Sequence, residues 1–193
     1  MNKNIKKMVG IALLMAMVVV MQFVGGMIPP IGGFSISLVL IPIVIGASVY
    51  GIGAGALLGA TFGTVVYINC VTGADPGGAM VLQASPILCF LVVMGKGILA
   101  GVAAGWVYKL LSKKNSYLAM VAAAVICPVV NTGTFIACML LFFNDVLTQW
   151  AAGSELVGYI LTGLVLANFV PELIINILFS PASVRIKKIV DKY

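Results

Sequence analysis

Long apolar runs alternate with short breaks rich in glycine, proline, asparagine and lysine along the whole chain. A helix needs about 20 mostly apolar residues to cross the hydrocarbon core of a bilayer. The runs predict membrane helices over residues 8–27, 36–50, 54–70, 86–111, 117–143 and 156–179. The second is short for a full crossing, which calls for shielding by neighbours or a partly re-entrant linker. The breaks supply the stops. IPPIGGFS ends the first run, and Gly51 with Gly53 turns the second into the third. VTGADPGGAMVLQAS, residues 71–85, reads as the longest polar loop of the first half, and residues 181–193 read as a basic tail. The expected fold is a single all-α integral membrane domain of six spans over residues 1–193.

Composition agrees with the pattern. Hydrophobic residues make up 62% of the chain and charged residues 8%, where soluble proteins carry about 25% charged. The net charge of +6 would suit nucleic acid, but its placement points to membrane orientation. Lys3, Lys6 and Lys7 precede the first helix. Lys109, Lys113 and Lys114 separate the fourth from the fifth, and Arg185, Lys187, Lys188 and Lys192 follow the sixth. With six spans these three places share one side, while Asp75, Asp145 and Glu155 lie opposite. The positive-inside rule then puts both termini in the cytoplasm. The N-terminus has a basic start like a signal peptide, but no A-x-A-like site follows its apolar run. It reads as a retained first helix.

Catalytic and metal chemistry finds little support. Histidine is absent, and Cys70, Cys89, Cys127 and Cys138 are scattered without a metal-ligand spacing. Their bland reading is core packing. There is no phosphate-binding glycine loop and no H-E-x-x-H, so neither an ATPase nor a membrane hydrolase is expected. No cofactor and no metal are implied.

The basic residue outside the three clusters is Lys96, in VVMGKGILAGVAAGWVYKLLSKK. Glu172 is the second ionisable residue inside a predicted span. Such groups cost about 2.5–3.5 kcal/mol to insert at a helix centre, so they face a partner or a wet cavity. Asn131, Thr132 and Thr134 on the fifth helix, and Asn168, Glu172 and Asn176 at intervals of four on the sixth, have similar depth. Pro128 and Pro171 disturb the same two helices and free backbone carbonyls there. The pattern predicts a polar pocket among the fourth, fifth and sixth helices. A Lys96–Glu172 salt bridge is the structural alternative. By helical rise, Lys96 lies about 15 Å and Glu172 about 24 Å from the outer ends of their helices, so that pair requires strain or a shifted boundary. Gly55, Gly59 and Gly63, and Gly97, Gly101 and Gly105, form faces spaced by four that suit close helix packing within the monomer. Ala12 and Ala16 repeat the spacing on the first helix.

Taken in order, these features resemble the substrate-binding S component of energy-coupling factor (ECF) vitamin transporters. Ala12-x-x-x-Ala16 looks like the family's small-residue motif for docking on the transmembrane coupling subunit. SLVLIPIVIGASVYGIGAGALLGATFGTVV, residues 37–66, looks like the family's second and third helices. GILAGVAAGWVYKLLSKK and then NTGTF, residues 131–135, are most like the pantothenate-type branch. The resemblance implies a high-affinity binding subunit in a bacterial plasma membrane, energised by a coupling subunit and two cytoplasmic ATPases. It places a vitamin in a pocket of helices 4–6 beneath covers at residues 29–35 and 71–85. Lys96 would then be the counter-ion of pantothenate, with Asn131, Thr134 and Asn168 on its hydroxyls and amide. Glu172 would hold Lys96 charged or accept a hydroxyl proton, and Gln83 and Ser85 would add hydrogen bonds at the mouth. Riboflavin, folate or another vitamin is the nearest alternative. A self-sufficient small transporter or channel associating through its glycine faces is a reading of another class. An enzyme using Lys96 and Glu172 as acid and base is a third, weakened by the missing nucleophile and metal groups.

Overall fold

The computed structural model describes residues 3–27 and 38–190. Its elements are α1 (Lys3–Met27), α2 (Leu40–Tyr50), α3 (Ile52–Thr72), α4 (Pro76–Ala84), α5 (Pro86–Leu111), α6 (Ser116–Phe142), α7 (Asn144–Ala151), α8 (Leu156–Tyr159), a π-helical segment (Ile160–Phe169) and α9 (Val170–Val190). No strand occurs among the described residues. Among the described residues, five helices are long and apolar enough to cross a membrane: Asn4–Gly26, Ile52–Thr72, Pro86–Leu111, Ser116–Phe142 and the composite Leu156–Val190.

The helix expected over 36–50 is described only as α2, with 11 residues. That is about 17 Å of helix, short of the roughly 30 Å hydrocarbon core. Its sequence LIPIVIGASVY is apolar all round, which suits burial on every side. Residues 40–48 are buried, and α2 packs against α1, α3, α5, α6 and α9. The expected cover at 29–35 lies outside the described residues.

The two glycine faces pack on each other and make the most extensive helix contact in the fold, α3 against α5. A methyl group on Gly59 would collide with the Gly97 carbonyl oxygen, and one on Gly101 with the Gly55 carbonyl oxygen. One on Gly63 would lie 2.7 Å from the Val93 carbonyl oxygen, and one on Gly105 2.9 Å from the Ile52 Cα. Only hydrogen fits between these backbones. Gly51 separates α2 from α3 at φ 97°, a left-handed conformation that glycine adopts without steric cost.

Several sequence expectations need correction. Residues 71–85 are not one loop, because they contain α4. Asp75 caps it by accepting a hydrogen bond from the Gly78 N–H at 3.1 Å, and Pro76 occupies the first turn, where no N–H is missed. The basic tail is helical as far as Val190, so α9 carries the chain well past residue 179. Pro128 is accommodated inside α6 without ending it. Pro171 follows the π-helical segment, in which the Val170 N–H reaches back five residues to the Val165 carbonyl. Proline has no N–H for the next ladder bond, and the wider turn ends there. At Pro181 the proline leaves the Ile177 carbonyl without its usual backbone donor. The Ser180 hydroxyl donates to that oxygen at 2.8 Å.

Candidate ligand cavity

Between α3, α5, α6 and the composite last helix lies a cavity of about 110 Å³. One water needs about 10–15 Å³ on this measure, so the space suits a small organic molecule or a cluster of waters. α5 contributes Lys96 to it, α6 contributes Asn131, Thr132 and Phe135, the π segment Asn168, and α9 Glu172. Gln22 of α1 and Trp150 of α7 also line it. The segment from Asn69 through Gly78, at the junction of α3 and α4, supplies Asn69, Cys70 and Asp75.

Lys96 is partly buried, and its ammonium lies 4.8 Å from the centre of the Phe135 ring and 5.5 Å from that of Phe62. Each ring face attracts a cation by about 0.5–2 kcal/mol, more as water is removed. Phe135 is itself stacked against Trp150, with centroids 6.4 Å apart and planes inclined by 24°. Glu172 and Asp75 are the carboxylates whose fields reach the ammonium most strongly. Asn131 is buried, and its Oδ1 has no hydrogen-bond partner among the described residues. Leaving such an oxygen unmatched costs about 1–3 kcal/mol, so it is poised to accept from a ligand or water. Below the cavity, the Asn176 side-chain amide donates to the Glu172 carbonyl at 2.8 Å. The cavity thus combines one cation, two carboxylates, several amides and an aromatic wall. That set can hold a polar organic solute in several directions at once.

The family model described as ECF transporter, substrate-specific component, matches residues 6–183. The chain belongs to this family. No curated protein matches its sequence. The family makes the chain a substrate-specific subunit of an ECF transporter, a multi-pass membrane protein that works with an ECF module and a small-molecule substrate.

Within this S component, Lys96, Asn131, Asn168 and Glu172 come together around one cavity. Thr134 and Gln83 are not among its lining residues. Thr134 is partly buried on α6, where the lining edge is formed by Asn131, Thr132 and Phe135, and Gln83 is exposed near the end of α4. Asn176, expected on one face with Asn168 and Glu172, is buried one turn further along α9 and does not line the space. Ser85 instead caps α5, its hydroxyl accepting from the Leu88 N–H at 3.5 Å. Ala12 and Ala16 are exposed on α1, while Leu14 and Val18 on its other side are buried. Gln22, Asn69, Asp75 and Trp150 were missed by sequence reasoning. Asn69, Asp75 and Trp150 lie near helix ends or in connections, where a polar or amphipathic residue carries no depth signal, whereas Gln22 is a polar residue inside the apolar run of α1, a signal that could have found it.

Proposed function

We propose that this S component binds a small vitamin or vitamin precursor with high affinity, and that pantothenate is the first ligand to test. The observation that carries the reading is the Lys96 ammonium, set among the apolar residues in the middle of α5 and facing a cavity shared with Asn131, Asn168 and Glu172. A carboxylate ligand gains a charge-assisted contact there, stronger than the same contact in water. The amides of Asn131 and Asn168 suit hydroxyl and amide groups, and Glu172 either steadies Lys96 or accepts a hydroxyl proton. Thr134 and Gln83 stay secondary candidates.

In this reading the apolar run over 36–50, of which α2 is the described part, is the sixth span, and both termini are cytoplasmic, the orientation that the lysine and arginine clusters favour. The membrane is the bacterial plasma membrane. The exposed face carrying Ala12 and Ala16 docks on a transmembrane coupling subunit, and two cytoplasmic ATPases drive release. α4, joined to α3 through Gly73, acts with residues 29–35 as the cover.

Native mass spectrometry of the protein purified in mild detergent tests the reading. A co-purified solute names the substrate class. Lys96→Met should weaken pantothenate binding by about 10- to 100-fold, the loss of roughly 1.4–2.8 kcal/mol. Unchanged affinity would remove Lys96 as counter-ion. The Phe135–Trp150 stack favours a second reading, a flat ring ligand such as riboflavin or folate lying on that wall. Retention of a ring compound, with pantothenate showing no binding, would select it.

A further inference from the structure

The glycine contacts set the register of the antiparallel helices α3 and α5. Gly55 meets Gly101, Gly59 meets Gly97, and Gly63 meets Val93. Along the same register Tyr67 meets Phe90 edge to face, with ring centroids 5.3 Å apart. Beyond them lie Cys70, in the last turn of α3, and Cys89, in the first turn of α5. Both are free and buried, with 2% and 0% of their surface exposed, and both line the cavity. The register of the seam sets these two end turns against each other, with both residues on the wall of the cavity. Packed helices usually sit 8–10 Å apart, and it is the bare glycine seam that brings two short side chains together across this pair. Cys127 and Cys138, on α6, do not line the cavity.

We infer that Cys70 and Cys89 form an oxidisable dithiol in the cavity wall, which a two-electron thiol oxidant converts into an intramolecular disulfide tying the end of α3 to the start of α5. Packing alone would explain two buried cysteines, but not their placement on facing turns at the wall of a polar cavity. An oxidant entering the cavity meets Cys70 first, because Cys70 keeps 2% of its surface exposed and Cys89 none. With the azo compound diamide, one thiolate adds to the N=N bond. The second thiol then attacks the sulfur of this adduct, forming the S–S bond and releasing the hydrazine. Two protons and two electrons pass from the thiols to the azo group, and nothing else is consumed.

The bridge would act on the cover. α4 rides directly on Cys70, for a methyl group on Gly78 would collide with the Cys70 sulfur, and Asp75 at its cap lines the same space. Joined to α5, the last turn of α3 would lose freedom to swing, and α4 with it. Disulfides persist in oxidising compartments, so the state of this pair would report the redox poise on the side where the cavity opens.

The test uses the full chain in mild detergent, treated with diamide, denatured, alkylated with N-ethylmaleimide and weighed intact. Reduced protein carries four free cysteines and takes four additions. The expected result after oxidation is a monomer with two fewer additions and a peptide cross-link joining Cys70 to Cys89. In the Cys127→Ser/Cys138→Ser variant every maleimide addition should vanish on oxidation. Four additions after diamide, a bridge through Cys127 or Cys138, or disulfide-linked dimers would overturn the inference. The protein is first dialysed until native mass spectrometry shows no bound solute, because an occupied cavity would exclude the oxidant; with the cavity empty the readout needs no vitamin binding, and its failure would leave the ligand reading untouched.

Discussion

Gly59→Ala is the sharpest perturbation of the scaffold. The new methyl group would strike the Gly97 carbonyl oxygen and lie 2.9 Å from the Ile98 nitrogen, where ordinary contact begins at 3.4 Å. The obstacles are backbone atoms, so no rotamer change relieves them. α3 and α5 must separate by roughly an ångström to clear the carbonyl, with loss of dispersion contacts along the seam. Overpacking of this kind costs about 1–3 kcal/mol, and a backbone-on-backbone clash belongs at the upper end. Alanine returns up to about 1 kcal/mol of helix propensity, leaving a net loss near 2 kcal/mol, roughly 30-fold in the unfolding equilibrium. Gly95→Ala is the matched control. It lies in α5 two residues from the seam, with nothing within 4 Å of the added carbon, so it should be neutral or stabilising by up to about 1 kcal/mol. Reversible denaturation in mixed micelles, followed by the fluorescence of Trp106 and Trp150, compares the two. Equal stability, to within the roughly 0.5 kcal/mol of an ordinary surface substitution, would refute the claim that these backbones touch.

Three further perturbations test other parts of the molecule. Ser180→Ala strips the Ile177 carbonyl of its hydroxyl donor and should cost about 1–3 kcal/mol. Adding Pro181→Ala restores a backbone N–H and should recover much of that loss, a coupling that a double-mutant cycle in micelle denaturation reads directly. Asp75→Ala removes the α4 cap and should cost about 0.5–2 kcal/mol locally, seen as faster hydrogen exchange at Gly78 with α5 unaffected; uniform exchange would contradict it. Replacing Ala12 and Ala16 together by leucine adds bulk to an exposed face and should leave ligand retention intact. Co-purification with a coupling subunit should fail, and persistence of that complex would move the docking site elsewhere.

The parts of the fold legible in the sequence were those with strong punctuation. α5 has the bounds expected, 86–111, because Ser85 caps it, Pro86 opens it and Lys109 with Lys113 and Lys114 marks its end. α4 was hidden because Gly73, Gly77 and Gly78 argue for a loop, although Asp75-Pro76 is equally a helix start. The π segment has no such signal. Its run ILTGLVLANF is apolar at nearly every position, so a change in residues per turn alters no pattern, and Pro171 announces a disturbance without its kind. In the cavity, Lys96, Asn131, Asn168 and Glu172 were legible because polar groups inside apolar runs are costly. Depth estimates treated each helix as ideal and separated Lys96 from Glu172. The composite last helix and the seam between α3 and α5 bring both to one space.

The seam also explains how Lys96 can be held where it is. Residues adjacent on a helix point about 100° apart, so Gly97 can face α3 while Lys96 faces away from it. Because Gly97 meets Gly59 without side chains between them, α3 sits close enough for Phe62, only 1% exposed, to present its ring 5.5 Å from the ammonium. Phe135 of α6 closes from the other direction at 4.8 Å. The glycines thus do more than pack two helices. They fix the distance at which an aromatic face steadies a membrane-embedded cation while its remaining side stays open to the cavity. A variant that widened the seam should therefore lose ligand affinity along with stability, whereas one that filled open space at Gly95 should lose neither.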